Sequence, residues 1–121
     1  MILQESGENY LEMILVLQKE HGSVRSIDIA TAFGFSKASV SRAMSILKEQ
    51  KYIVMEASGD ILLTKSGLAK AASVLDRHQT ISQFLENLGV DAAIAEKDAC
   101  RIEHIISPET FARIKAKVQG N

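Results

Sequence analysis

Residues 26–42 determine the fold, and they read SIDIATAFGFSKASVSR. The first eight of them predict a short helix, and the pair Gly34-Phe35 predicts a tight turn after it. Ser36 is a suitable N-cap for a second helix, which we expect to run to about Gln50, because its hydroxyl can accept a hydrogen bond from an unpaired backbone N–H group. Two helices joined by a short turn of this kind are typical of a helix-turn-helix unit.

Three residues in this stretch have the spacing of that unit: Ala30, Gly34 and Val40. A bulky side chain at position 30 would push the two helices apart, and a Cβ atom at position 34 would resist a left-handed backbone conformation. The branched apolar side chain of Val40 is suited to hold the second helix in place. This triplet alone leaves an ordinary helical hairpin open as the alternative.

The segments on either side of the helix-turn-helix extend the pattern. Residues 5–21 predict a helix, because their apolar residues recur at i, i+3, i+4 and i+7 from Tyr10 onward. After the second helix, residues 52–56 and 61–63 have the composition of strands, and the turn formers of residues 57–60 lie between them. Helix, helix-turn-helix and β-hairpin in this order predict a winged helix.

The start of the second helix of this unit is the part that enters the major groove of DNA. Lys37 and Arg42 would contact base edges or phosphates, and the neighbouring serines would contact phosphates or bases. The net charge of the chain is only −1, but residues 23–75 carry seven basic and four acidic residues, which favours a local nucleic-acid surface. The predicted DNA contacts are Ser26, Ser36, Lys37, Ala38, Ser39, Ser41 and Arg42.

Three more helices are predicted after the hairpin. The first covers about residues 64–88, which is longer than a winged helix needs, so we expect it to extend into a second module. Asp91 caps the next helix, which we expect to run to about Ile106. The last helix covers about residues 107–118, because a serine N-cap is followed there by proline at the first helical position.

A thiol, a carboxylate and an imidazole lie within five residues near the C-terminus, at Cys100, Glu103 and His104. Positions i, i+3 and i+4 are neighbours on one face of a helix. A soft, a hard and a borderline donor together suit a first-row divalent metal better than magnesium or calcium. On the predicted helix these side chains lie opposite an apolar, core-type face, which consists of Ile94, Ala95, Ala99, Ile102, Ile105 and Ile106.

Three polar residues elsewhere have simple structural explanations when each is taken alone. Asn9 and Glu12 lie at one edge of the apolar stripe of the first helix and are typical of solvated flank positions. His78 lies among the apolar residues of the long helix, where a hydrogen-bonded core histidine is the common case.

An enzyme is the alternative from another class of protein. Cys100 could act as a nucleophile with His104 as its base, or Glu103 could act as the base of a hydrolytic metal centre. The sequence offers no third orienting residue, Gly-rich loop or oxyanion element, which favours a binding protein.

Length and composition limit the class of protein. A chain of 121 residues with 46% hydrophobic content corresponds to about one compact domain, or a small one with an appended helical module. No apolar run approaches the roughly 18 residues of a transmembrane helix, and residues 1–5 lack the basic-then-apolar order of a signal peptide. The single cysteine cannot form an internal disulfide. We therefore expect a cytoplasmic protein without a membrane partner.

Taken together, these motifs resemble the diphtheria toxin repressor and manganese transport regulator family of metal-dependent transcriptional repressors. The resemblance covers nearly the whole chain, with the motifs in the same order. It rests on Glu8-Asn9-Tyr10-Leu11-Glu12, the helix-turn-helix, Arg77-His78, Gln83-Phe84-Leu85, Gly89-Val90-Asp91 and the stretch from Ala99 to Ser107.

The resemblance also implies a set of metal ligands. Glu103 and His104 match ligands found throughout the family, and Cys100 matches a position that is cysteine in iron-type members and glutamate in manganese-type members. His78 matches a ligand of a second, neighbouring site. Glu12 matches a ligand of the manganese-type members.

Four features depart from the family pattern. Asn9 occupies a further ligand position that is methionine in iron-type members and aspartate in manganese-type ones, and an uncharged amide oxygen binds a cation more weakly. Ser82 stands where a glutamate often supports the second site, and Glu96 stands near a histidine ligand of iron-type members. The chain also stops at Asn121, so we expect the shorter, two-domain form without an SH3-like third domain.

The function implied by the resemblance is metal-activated repression. We expect a mainly α fold, with a winged-helix DNA-binding domain over residues 1–72 and a helical metal-binding and dimerisation domain over residues 73–121. A homodimer would bind a palindromic double-stranded operator, activated by Fe(II) or Mn(II), with Zn(II), Co(II) and Ni(II) as competitors in vitro. No small-molecule substrate is expected. The alternative is a metal-independent DNA-binding or interaction protein with a degenerate metal site, which Asn9 and Ser82 favour.

Overall fold

A computed structural model of the chain describes the backbone of residues 5–120 and the side chains of residues 7–120. These residues form six helices and one two-stranded hairpin. In chain order the elements are α1 (Glu5–His21), α2 (Ser26–Phe33), α3 (Lys37–Glu49), β1 (Ile53–Met55), β2 (Ile61–Leu63), α4 (Lys65–Asn87), α5 (Ala92–Ile102) and α6 (Pro108–Gly120). The mainly helical class with a short hairpin wing, followed by a helical module, is confirmed. By internal packing the chain divides into two compact units, and the boundary lies between Ala72 and Ser73 within α4.

The helix-turn-helix of the first unit follows from local signals. Gly34 takes a left-handed conformation with φ of 73° and ends α2, and its N–H donates to the Ala30 carbonyl over 2.8 Å. The Ser36 hydroxyl caps α3 by accepting a 3.1 Å hydrogen bond from the Ser39 N–H. Val40 is fully buried and Ala30 nearly so, as the close approach of two helices requires.

The core of the first unit is aliphatic and includes more of α1 than the predicted stripe. Leu11 and Leu15 are buried in addition to Tyr10, Ile14 and Leu17. The apolar arc of α1 is therefore wider than the i, i+3, i+4, i+7 pattern indicates. The other buried apolar residues of this unit are Val24, Ile29, Ala30, Val40, Met44, Leu47, Ile53, Ile61 and Ala71.

The wing is a short antiparallel hairpin in which Ile53 pairs with Leu63. The first strand is two residues shorter than predicted, because Tyr52 and Glu56 lie outside the ladder. At the base of the wing, α4 approaches the Tyr52 carbonyl so closely that a Cβ atom at Gly67 would overlap its oxygen. Glycine is therefore required at position 67.

The second unit contains the end of α4, α5 and α6. Ala95 and Ala99 of α5 are buried, as are Val74 and Ile81 of α4. The last helix extends to Gly120, which is two residues beyond the predicted end. Within residues 5–120, no helix is long and apolar enough to span a membrane.

The prediction for the end of α5 was wrong. The helix stops at Ile102, and residues 103–106 form a turn instead of a continued helix. Proline disfavours helical backbone in the residue before it, so Pro108 prevents Ser107 from prolonging α5. Ser107 instead caps α6, and its hydroxyl accepts a 3.1 Å hydrogen bond from the Thr110 N–H.

Candidate metal centre

Three candidate ligands lie together at the end of α5. Cys100 is in the last turn of the helix, Glu103 is its C-cap residue, and His104 belongs to the following turn. One donor atom from each, the thiol sulfur, a carboxylate oxygen and a ring nitrogen, lie within 4.8 Å of one another. First-row ions hold such donors at about 2.0–2.3 Å, so one ion can contact all three after small side-chain movements.

The carboxylate of Glu103 is the most buried part of this cluster, with 0% of its side chain exposed. Its Oε1 atom lies 3.1 Å from Nδ1 of His78 and 3.9 Å from Nε2 of His104. Its Oε2 atom has no hydrogen-bond partner among the described residues. A buried carboxylate oxygen without a partner is costly unless a cation neutralises it. The donor set therefore fits a divalent metal.

His78 reaches the cluster from α4, and 19% of its side chain is exposed. Its contact with Glu103 joins two segments that are 25 residues apart in the chain. A carboxylate between two imidazoles can ligate one ion or bridge two neighbouring ions. The role of His78 in a second, neighbouring metal site stays a prediction.

Arg77 of α4 contacts the turn of residues 103–106, and its residue type and spacing alone did not indicate a functional role. Nη1 of Arg77 donates hydrogen bonds to the carbonyl oxygens of Glu103 and Ile106, over 2.9 and 3.2 Å. The guanidinium also lies 5.2 Å from the centre of the Phe111 ring. The available signal was the position of Arg77 directly before a candidate ligand in the Arg77-His78 pair.

The other two predicted metal residues belong to α1. Asn9 and Glu12 are both half-buried on α1 of the first unit, three positions apart and hence on one face. Ser82 and Glu96, the two positions of the second unit that depart from the family's ligand pattern, are half-buried on α4 and exposed on α5, respectively.

The expected division of α5 into an apolar buried face and a polar face was wrong in part. Ala95 and Ala99 are buried, but Ile94 is 53% exposed and Ile105 is 77% exposed, whereas Glu103 is 1% exposed. The helix ends before Ile105, so the helical rotation of 100° per residue does not predict the position of that side chain. The buried residues of α5 and the turn after it are therefore the two alanines and Glu103 of the ligand cluster.

Six of the predicted DNA-contacting residues lie at the N-cap or in the first two turns of α3, and Ser26 is the first residue of α2. Most of them are exposed, and Ser39 and Ser26 are half-buried. The Ser39 hydroxyl accepts from the Ser36 hydroxyl over 2.9 Å and from Nη2 of Arg42 over 3.5 Å. At the tip of the wing, Nε of Arg25 donates to Oδ1 of Asp60 over 3.2 Å. The first unit thus presents hydroxyl and cationic groups side by side.

Comparison with known families matches both halves of the chain. Residues 2–60 match the model described as iron dependent repressor, N-terminal DNA binding domain. Residues 64–120 match iron dependent repressor, metal binding and dimerisation domain. The chain belongs to the iron-dependent repressor family.

Two curated relatives of this repressor cover nearly the whole chain. It is 33% identical to an HTH-type transcriptional regulator of Methanocaldococcus jannaschii over 115 residues, which are 93% of this chain and 92% of the relative. It is also 33% identical to the transcriptional regulator MntR of Bacillus velezensis over 114 residues, which are 94% of this chain and 80% of the relative.

A solved manganese-dependent transcriptional repressor in complex with manganese has the same fold. It superposes with a TM-score of 0.85 at 29% identity, over 95% of this chain and 53% of the solved one. This chain thus spans about half the length of that solved chain. The family consists of metal-dependent transcriptional repressors and not of enzymes, so the interpretation of Cys100 and His104 as a catalytic pair is set aside.

Proposed function

We propose that this repressor binds a palindromic operator as a homodimer and that Fe(II) or Mn(II), held at Cys100, Glu103 and His104, activates it. The observation that carries the proposal is the Oε2 atom of Glu103, which is buried and without a hydrogen-bond partner among the described residues. It lies in a cluster that also offers a thiol and an imidazole. A divalent cation would supply the positively charged partner that this oxygen lacks.

The ligand set is completed by residues from two other helices. Either Asn9 or Glu12 of α1 contributes an oxygen ligand, and His78 ligates at the same or an adjacent site. The thiolate favours Fe(II), whereas oxygen ligands favour Mn(II), with Zn(II), Co(II) and Ni(II) as competitors in vitro. The similarity to a manganese-dependent repressor solved in complex with manganese supports a role for manganese here.

The mechanism couples the ligands to the orientation of the DNA-binding unit. When bound, the ion supplies a fixed positive charge that oxygen, nitrogen and sulfur donors share. Cys100, Glu103 and His104 hold it from the second unit, and α1 contributes a ligand from the first unit. Ligands shared by two units select the orientations that keep all of them in contact. In a homodimer, this selection would set the two α3 helices at the spacing of successive major grooves.

The contacts with DNA come mainly from the start of α3, with Ser26 at the start of α2. Lys37 and Arg42 contact phosphates or base edges, and Ser26, Ser36, Ala38, Ser39 and Ser41 approach the backbone or bases. The wing tip contacts the DNA backbone. We place the protein in the cytoplasm, where its DNA partner is accessible, and propose no small-molecule substrate.

Selection from a pool of random DNA duplexes tests this function. Anaerobic protein loaded with Mn(II) or Fe(II) should enrich an inverted repeat, and the same protein with chelator should not. Enrichment of the same repeat in both conditions would instead support a metal-independent DNA-binding protein. Enrichment in neither condition would contradict operator binding altogether.

A further inference from the structure

The turn formed by residues 103–106 carries two of the proposed ligands, Glu103 and His104, outside any regular helix. Its backbone N–H groups at Ile105 and Ile106 both donate to the Ile102 carbonyl, over 3.0 and 3.2 Å. The carbonyl groups at the C-terminal end of a helix have no donor within that helix, so they need donors from another segment. The position of the ligands therefore depends on what holds this turn.

Arg77 supplies those donors from α4. A single nitrogen, Nη1, donates to the carbonyl oxygens of both Glu103 and Ile106, which are the first and last residues of the turn. One guanidinium group therefore connects the two ends of the turn, which are three residues apart. His78, the next residue of α4, meanwhile contacts the Glu103 side chain.

The guanidinium group of Arg77 is itself held in place by α6. It lies over the Phe111 ring, 5.2 Å from its centre, and Lys115 approaches the same ring at 5.9 Å. Nζ of Lys115 also lies 2.7 Å from Oδ2 of Asp76, the residue before Arg77. A flat guanidinium can stack on the ring while its N–H groups remain available for the turn.

We propose that Arg77 is a positioning residue of the metal centre, which fixes the turn of residues 103–106 in the ligand-holding geometry before metal binds. This inference rests on the proposed function of Cys100, Glu103 and His104. Without Arg77, the turn would lose conformational freedom at the moment of metal binding, and that entropy cost would lower the affinity. Groups that orient metal ligands typically change affinity by about 10- to 100-fold.

The sign of the effect separates positioning from simple electrostatics. Removal of a positive charge close to a cation site relieves repulsion and by itself tightens the binding of a divalent ion. Loss of a positioning residue weakens the binding. Arg77→Met keeps an apolar stem and removes both the charge and the donors, so the two accounts predict opposite results.

Lys115→Met provides the matched control. It also removes one positive charge beside Phe111, but Lys115 contacts Asp76 and the ring instead of the turn carbonyls. Arg77→Lys is the second variant, which keeps the charge and loses the planar group, and it serves if Arg77→Met does not fold. Thermal unfolding of each metal-free variant shows which of them are folded.

Two measurements on folded protein test the proposal. In metal-free protein, hydrogen exchange at the Ile105 and Ile106 amides should be faster in Arg77→Met than in wild type and unchanged in Lys115→Met. In an anaerobic Co(II) titration followed by visible absorption, Arg77→Met should bind about 10- to 100-fold more weakly, with altered ligand-field bands. We expect an intermediate affinity for Arg77→Lys.

Unchanged amide exchange in Arg77→Met, or Co(II) binding as tight as in wild type, would overturn the role of Arg77. Equal weakening in Lys115→Met would also overturn it, because a general loss of packing would then explain the result. Failure of the wild-type protein to bind Co(II) would contradict the proposed metal site itself. The exchange experiment does not depend on that outcome, so the two failures are distinguishable.

Discussion

The Nδ1 atom of His78 lies 3.1 Å from the Oε1 atom of Glu103. This contact connects α4 with the turn after α5 and leaves the other carboxylate oxygen buried without a hydrogen-bond partner among the described residues. An imidazole on one oxygen orients the carboxylate, and its second oxygen remains available for a cation. Glu103 is therefore the residue on which the proposed metal centre depends most.

Glu103→Gln should abolish the stabilisation that metal confers. The amide keeps the shape of the side chain and removes its charge. Groups that only orient ligands change metal affinity by at least about tenfold, so loss of a ligand should lower the affinity for Mn(II) or Co(II) by more than that. In metal-free protein the melting temperature should not fall, because a neutral buried group is less costly than a charged one. Thermal unfolding with and without each metal measures both effects.

Glu96→Gln is the matched control for this experiment, since Glu96 is an exposed carboxylate on α5, the helix that ends directly before Glu103. It should leave the metal-induced rise in melting temperature unchanged. A Glu103→Gln protein that metal stabilises as much as wild type would contradict the assignment of Glu103 as a ligand.

Cys100→Glu should change the metal preference. A carboxylate in place of the thiolate favours the harder Mn(II) ion, so the ratio of Mn(II) to Co(II) affinity should rise by at least about tenfold. Cys100→Ser, which removes the thiolate without adding a charge, should weaken the binding of both ions. Competition titrations with a chromogenic chelator measure the ratio, and an unchanged ratio in Cys100→Glu would place Cys100 outside the ligand set.

Arg42→Ala should weaken DNA binding without affecting metal binding. Loss of one arginine contact to a phosphate or base costs about 1–3 kcal/mol, which corresponds to roughly 5- to 150-fold in affinity. If Arg42 contacts a phosphate, the plot of log affinity against log salt concentration should also become less steep, with a slope smaller in magnitude by about one. Fluorescence anisotropy at several salt concentrations measures both quantities.

Lys48→Ala is the control for Arg42, because Lys48 is an exposed cation in the last turn of the same helix. It should alter DNA affinity by much less. Equal losses in the two variants would indicate a diffuse electrostatic attraction instead of docking by the start of α3.

Gly67→Ala should destabilise the first unit. The new Cβ atom would overlap the Tyr52 carbonyl oxygen, and overpacking of this kind typically costs about 1–3 kcal/mol. Gly120→Ala introduces the same methyl group where nothing lies within 4 Å, so it should be neutral or slightly stabilising. Urea unfolding of both variants distinguishes a local clash from a general effect of the substitution.

The sequence predicts the helix-turn-helix well because each of its boundaries depends on a local signal. The Ser36 cap and the left-handed Gly34 operate within a few residues of one another, and the structure has them where the spacing indicates. The start of α6 is likewise set by Ser107 and Pro108.

Features that depend on distant segments were not predictable in the same way. Periodicity extends α5 through Ile106, whereas the turn there depends on Pro108 and on donors from Arg77 in another helix. The burial of Glu103 likewise reflects its tertiary surroundings, including the contact with His78. Residue type and spacing predict that Cys100, Glu103 and His104 lie close together, but they do not indicate which group orients the turn.

The most direct test of the central claim is the affinity of the wild-type protein for its selected inverted repeat, measured by anaerobic fluorescence anisotropy with and without Mn(II) or Fe(II). We predict binding at least about tenfold tighter with metal, a coupling of roughly 1.4 kcal/mol or more. The same loss of affinity should follow from chelation and from Glu103→Gln. Equal affinity with and without every divalent ion tested would contradict metal activation.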